Sequence, residues 1–265
     1  MKTKYPIYIP SKGRADISST INIFDRYGID YIVAVEPQEV EKYKMCENIF
    51  VLEENDKGIS YVRTSIKKHA LSTGYKYHWQ IDDNVERFEI LLNGHRFMIN
   101  PIGMFLAIEA FVDYCCNIGS ASFIYNTFAY TVTNELGINR QSASCSLFNS
   151  EIPIFWNKDI AEDTDYAMQI LTHDDGKWCT VNFNRYLIQK TASEVLPGGN
   201  TGVEYSGNRR EMRNKNLEKK WNCFKEYKNN KNQSRIKPSN IWSKFEQRPV
   251  KNIEDLIKYK QNKLF

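Results

Sequence analysis

The sequence predicts an α/β domain built from a βαβ series, and three observations lead there. Short apolar runs alternate with helical stretches along the first third of the chain. Each run ends in polar residues, so the strand ends would collect on one edge of a sheet, where open α/β sheets bind ligands. At 265 residues the chain can bury a substantial core, enough for one large domain with an extension.

Taken in order, Pro6-Ile-Tyr-Ile-Pro10 reads as a first, buried strand. Ser11-Lys12-Gly13-Arg14 follows, then a helix from Ile17 to Tyr27. A strand, a basic turn and a helix N-terminus form a natural seat for a diphosphate, because backbone N–H groups and the helix dipole attract anions. The pattern is neither a P-loop nor a G-x-G-x-x-G, so those nucleotide folds gain no support. Asp30 to Val35 is a second strand ending at Glu36-Pro37, Val40 to Lys44 a short helix, and Asn48 to Leu52 a third strand. Lys57-Gly58 opens a helix that carries Arg63 and runs to about Ser72. Tyr75, Tyr77, Trp79 and Ile81 alternate with polar residues and make a fourth strand. Such a series implies parallel strands with helices on the faces of the sheet.

The fourth strand stops at Asp82-Asp83-Asn84, three oxygen-bearing side chains in a row. Paired carboxylates at a strand's end suit a hard cation such as Mg²⁺ or Mn²⁺ beside a phosphate. A polar turn is the other explanation, since Asp and Asn favour turns on their own account. Phe88 to Ile99 is a hairpin around Asn93-Gly94. Ile102 to Cys116 is apolar at helical spacing, a core segment. Ala121 to Thr133, Ser144 to Trp156 and Trp178 to Gln189 read as strands, the first two rich in aromatics that pack in a core or stack a base or sugar. Glu162-Asp163-Thr164-Asp165 is a second acidic cluster, placed either to cap a helix or to supply a general base. Pro197 to Gly202 is glycine-rich, a closing loop or a plain linker. A helix from Arg210 to Tyr227 would bring Trp221, Phe224 and Tyr227 near one face, and Lys251 to Lys260 would be a last short helix.

Composition narrows the function classes. No apolar run approaches the ~20 residues that span a bilayer, so no membrane partner is expected. The polar start, Met1 to Lys4, gives no expectation of a secretory leader. None of the six cysteines forms a C-x-x-C pair, which argues against structural zinc and for reduced thiols in the cytoplasm. The net charge of +4 hides an asymmetry: Asn208 to Lys237 holds eleven Lys or Arg against three Glu. That stretch is either a solvated face or a contact for polyphosphate or nucleic acid.

Two motifs, Gly58-Ile-Ser-Tyr-Val-Arg63 and Trp79-Gln-Ile-Asp82-Asp83-Asn84, placed after the first strand, resemble the nucleotide-sugar half of GT-A glycosyltransferases, especially the family 2 type. Ile9-Pro-Ser-Lys-Gly-Arg14 is similar to the start of phage-type glycosyltransferases found beside TET-like DNA-base oxygenases. The resemblance covers roughly residues 5 to 205. It implies a single GT-A (Rossmann-like) domain over residues 1–205, with a mixed, largely parallel sheet and a basic helical extension over 206–265. It further implies a nucleotide-sugar donor, most simply UDP-linked, with Mn²⁺ or Mg²⁺. The acceptor would be a hydroxyl on a 5-hydroxymethylpyrimidine, hydroxymethylcytosine for example, in the double-stranded DNA of a phage-infected host cell. Pro10, Ser11, Lys12, Gly13, Arg14 and Glu36 would line the nucleoside pocket, Arg63 would reach the ribose or diphosphate, and Asp82 the ribose. Asp83, with Asp82 and Asn84, would hold the metal, although Asn84 departs from an all-acid Asp-x-Asp and leaves one charge fewer. Asp163, with Glu162 second, would be the base, and the chain would act as a monomer. A glycosyltransferase for a surface glycan or small molecule, and a non-catalytic nucleic-acid-binding module, are the alternatives.

Overall fold

A computed structural model describes residues 2–192, 196–199, 208–230, 232–238, 241–246 and 249–252. The N-terminal half follows the βαβ expectation. Strand β1 (Ile7–Pro10) is buried along its length. Helix α1 spans Ser19–Tyr27, two residues later than the apolar pattern suggests, because the Ser18 hydroxyl accepts from the Ile21 N–H and caps it. Gly28 ends it in the left-handed region at φ 59°. Strand β2 (Ile32–Val35), a 3₁₀ turn (Pro37–Tyr43), β3 (Ile49–Val51), α2 (Ile59–Ser72) and β4 (Tyr77–Ile81) complete the half.

Strand β4 differs from its alternating pattern. All five residues are buried, the polar ones included. Tyr77, Trp79 and Ile81 enter the main core, while His78 and Gln80 face the other layer, where Gln80 meets Arg63 of α2 and His78 meets Ser150. A central strand covered on both faces buries its polar side chains if each finds a partner, so alternation here marks two interiors and no solvent face.

The second half contains β5 (Val85–Leu92), β6 (His95–Met98), α3 (Ile102–Tyr114), β7 (Ile118–Tyr125), β8 (Leu136–Ile138), β9 (Cys145–Asn149), α4 (Glu162–Thr172) and β10 (Cys179–Lys190). Strands β5 and β6 pair as the expected hairpin, with Asn93 and Gly94 both at positive φ. The sheet order is β3-β2-β1-β4-β9-β7-β10-β5-β6, with β8 added on β10. Strands β3, β2, β1 and β4 are mutually parallel, β7 and β10 are parallel, and the remaining pairs are antiparallel. The chain leaves β1 toward β2 and β3, then returns to its other side with β4. That reversal is a topological switch point, and the loops after β1 and β4 open there.

Helices α1 and α3 cover one face around Phe24, Trp79, Phe105 and Phe123. The opposite layer holds α2, over Tyr8, Ala34, Val62 and Ile66, and α4, over Phe148, Trp156 and Ile170. Gly119 of β7 permits α4 to lie this close, since a Cβ there would sit 2.4 Å from Ile170 Cγ2. Between these helices the buried Lys67 donates to Ile152 O, Ile154 O and Tyr166 Oη at 2.6, 2.9 and 3.0 Å. Burial pushes its amine down to about 7, against three hydrogen bonds that an ammonium fills together.

The extension corrects the helix expected to Tyr227. Helix α5 covers Arg209–Lys220 and ends at Trp221, whose backbone is extended. Strands β11 (Phe224–Lys228) and β12 (Ser234–Pro238) then pair as a separate hairpin, followed by α6 (Ile241–Glu246). Phe224 is buried and Tyr227 is 45% exposed, so the aromatics do not share a face. Leu217, Phe224 and Phe245 pack instead against Ile160, Met168 and Leu171 beside α4. Beyond Asn252 the expected last helix lies outside the described residues.

Candidate active site

The switch point carries a polar cavity of about 500 Å³. Its floor is the turn after β1 set against the turn after β4. Ser11 Oγ donates to Asp83 Oδ2 at 2.6 Å, and Arg14 Nη1 donates to Asp83 Oδ1 at 2.7 Å. From behind, Ser18 Oγ donates to the Asp83 carbonyl and Thr20 Oγ1 to that of Asp82, so the start of α1 holds the acidic turn. Residues 196–199 lie directly on the β1 turn: the Gly199 N–H donates to Lys12 O at 2.7 Å and Arg14 Nε to Pro197 O at 3.0 Å. Gly198 is required there, since a Cβ would come within 2.6 Å of Gly13 O and φ is +73°.

One end of the cavity is partly apolar, with Ala34, Leu52, Ile59 and Val62 beside Glu36 and Lys12. Lys12 Nζ donates to Glu36 Oε1 at 2.9 Å and also bonds Asp56. Gly13 N donates to Glu39 Oε2 at 2.5 Å, and Pro10 lines the same wall.

Across the floor, cations meet the acidic turn. Arg63 Nη2 lies 3.1 Å from Asp82 Oδ1 and 3.8 Å from Asp163 Oδ1. Lys190, the last residue of β10, donates to Asp82 Oδ2 at 2.9 Å and to Ser144 Oγ at 2.7 Å. Burial works against the charge on Asp82, yet Lys190 and then Arg63 hold its carboxyl well below the usual range. Burial dominates at Asp83 and raises it, opposed by Arg14 and Ser11. Asn84 Nδ2 donates to Thr191 O at 2.7 Å.

The resemblance implies a divalent ion, and the carboxylates that would hold it are already paired with cations or a hydroxyl. Both oxygens of Asp82 and both of Asp83 already accept from Arg63, Lys190, Arg14 or Ser11. Among the described residues no three His, Cys, Asp or Glu side chains gather as a metal set. A divalent ion that drew on these carboxylates beside a phosphate would first have to displace the cations from them.

Asp163 opens the first turn of α4, and its side chain is 40% exposed to the cavity. Its neighbour Glu162 also lines the cavity but is drawn into a buried pair with Arg213 of α5. Burial and then Asp163 raise the Glu162 carboxyl, against the pull of Arg213 and Arg63. The two acids are thus unlike: Glu162 is locked in place, Asp163 faces the open space.

The cavity brings together Pro10, Ser11, Lys12, Arg14, Glu36, Arg63, Asp82, Asp83, Asn84, Glu162 and Asp163, with Gly13 in the turn between them. Sequence reasoning missed Lys190, Ser144, Tyr125 and Arg213. No local signal marks them, because they reach the site only through the order β4-β9-β7-β10 and the docking of α5 on α4.

No curated protein matches the chain. The family model described as TET-Associated Glycosyltransferase matches residues 5–199, which hold the sheet, the acidic turn and α4. The chain belongs to the TET-associated glycosyltransferase family and is a glycosyltransferase.

Proposed function

We propose that the enzyme transfers a sugar from a UDP-type nucleotide sugar to the hydroxyl of a 5-hydroxymethylpyrimidine in DNA. One observation carries the assignment: a cationic floor and an exposed carboxylate, Asp163, line a single cavity at the switch point. The nucleoside would lie among Ala34, Leu52, Ile59 and Val62, with Glu36 toward its polar edge. The diphosphate would rest over Arg14, Lys190 and Arg63, beside the backbone of the β1 turn. Fixed cations aimed where charge develops are the main electrostatic contribution to such a transfer.

Asp163 would accept the proton of the acceptor hydroxyl as its oxygen attacks the anomeric carbon. The carbon–oxygen bond to the diphosphate then breaks, and the electron pair leaves with the diphosphate, where Arg14 and Lys190 offset it. No step is assigned to a divalent ion. A duplex acceptor would present the base by bending or flipping it out of the stack.

The test is nucleoside mass analysis after incubation with UDP-sugars and either plain or hydroxymethylated DNA. A sugar-sized gain on the hydroxymethylated base alone is expected, and it should vanish with Asp163→Asn. Release of UDP without any gain on DNA would move the acceptor to a glycan or small molecule.

A further inference from the structure

Beside the donor cavity lies a second one of about 510 Å³, and the extension builds much of its wall. Arg210 and Arg213 come from α5, and Arg235 from β12. Arg210 and Arg213 are three residues apart and so share a helix face. Asn214 Nδ2 donates to Ser234 Oγ at 2.9 Å, which ties α5 to the start of β12 and brings Arg235 to the same wall. With Lys190 these make four cations against two carboxylates, Glu162 and Asp163.

Several other basic residues of the extension are engaged elsewhere. Lys215 and Lys228 pair with Glu211, Lys225 with Glu218, and Lys220 with Asp165. The three arginines gather on one wall: burial, then Arg235, then Arg213 lower the Arg210 guanidinium. Arg213 is fixed by Ile160 O at 2.9 Å and by Glu162, and so cannot swing away from the crowd. Like charges gathered on one wall suit an anion, and the planar guanidinium fork matches phosphate oxygens.

Position decides which anion. Asp163, Glu162, Lys190, Arg213 and Arg235 line both cavities, whereas Arg210 lines only the second, and Ser11, Lys12, Arg14, Asp82 and Asp83 line only the first. The arginine wall therefore starts beside Asp163, where the cavities meet, and runs away from the floor assigned to the diphosphate, with Arg210 at its far end. We propose that Arg210, Arg213 and Arg235 form a subsite for a backbone phosphate of the acceptor DNA, which rests on the DNA acceptor proposed above. Anchored there, the strand is held while its modified base reaches Asp163 and the donor.

The test measures two bindings on the same protein: a fluorescent duplex carrying 5-hydroxymethylcytosine, followed over a salt series, and UDP by calorimetry. Arg210→Gln and Arg210→Gln/Arg235→Gln are compared with the unchanged enzyme. Arg213 is left alone because its buried pair with Glu162 supports the fold. The double variant should bind the duplex about tenfold or more weakly at low salt, with a log K against log salt slope shallower by about one per lost phosphate contact. UDP affinity should not move. Unchanged duplex binding would overturn the subsite alone, and so would a loss of UDP affinity, which would assign the wall to the donor. An unchanged enzyme that binds UDP but no duplex would remove the DNA acceptor and this subsite together.

Discussion

The two walls of the active-site cavity are made in opposite ways. The donor wall comes from loops that follow β1, β2 and β4, a few residues beyond parallel strands. Each of its four cations has a carboxylate partner: Arg14 meets Asp83, Arg63 and Lys190 share Asp82, and Lys12 meets Glu36. The acceptor wall comes from α4, α5 and β12, elements far apart in the chain, and Lys190 at the end of β10 is shared by both walls. There the arginines outnumber the carboxylates. A switch point delivers the first wall as soon as four strands pair, whereas the second exists only after the extension docks. The contrast suits the proposed diphosphate floor on one side and the proposed phosphate subsite on the other.

The largest effect expected is on Asp163, where the walls meet. Asp163→Asn keeps size and hydrogen bonding but cannot take the acceptor's proton, so kcat should fall by about 10²–10⁴-fold. Donor KM and melting temperature should hardly change, because this side chain is part exposed. Steady-state kinetics and a thermal melt check the pair of results. An equal loss in donor binding would give Asp163 to the donor wall and blur the contrast.

Removing a floor cation should instead unbalance a buried pair. Arg14→Met leaves Asp83 buried without its partner, at a cost of about 3–5 kcal/mol in unfolding free energy. Urea titration measures it. A change near zero would mean that the pairing is not a structural element of the floor.

A pH dependence separates the two walls as well. Beneath the donor floor, His78 supports Gln80, which in turn holds Arg63. Burial, then Lys67, lower the His78 imidazole to about 3. The unfolded chain therefore takes a proton below about pH 6.5 that the folded chain refuses, and stability falls with pH from there down. Between pH 6.5 and 4.5 the loss should be about 2–3 kcal/mol. His78→Gln should flatten that slope in melts across the range, and an unchanged slope would place the acid sensitivity elsewhere.

Gly198 gives the smallest effect. Gly198→Ala forces residues 196–199 off the β1 turn at about 1–3 kcal/mol of backbone strain. The expected readout is a several-fold rise in donor KM with kcat little altered. Loss of DNA binding instead would attach this segment to the acceptor wall.

Legibility in the sequence followed the same division. The four parallel strands, α1, α2 and the acidic turn are all local patterns, and they stand where the hydrophobic runs predicted. So do the Asn93-Gly94 hairpin and Asp163 at the head of α4. What could not be read depends on partners distant in the chain. Alternation in β4 gives no sign that His78 and Gln80 face a second interior. The spacing of Trp221, Phe224 and Tyr227 fits a helix face as well as a cap followed by a strand, and docking on Ile160 and Leu171 decides between them. Nothing beside Asp82 announces its partner Lys190, which stands 108 residues ahead in a later strand.

In the proposed mechanism fixed cations of the floor meet the leaving diphosphate, and no step is given to a divalent ion. Single-turnover transfer onto hydroxymethylated DNA, run in excess EDTA and again with Mn²⁺, tests it most directly. Rates within a few-fold of each other, both lost in Lys190→Met, are the expected result. Transfer that stops in EDTA and returns with Mn²⁺ would contradict it, and would mean that Asp82 and Asp83 release their cations to take a metal when the donor binds.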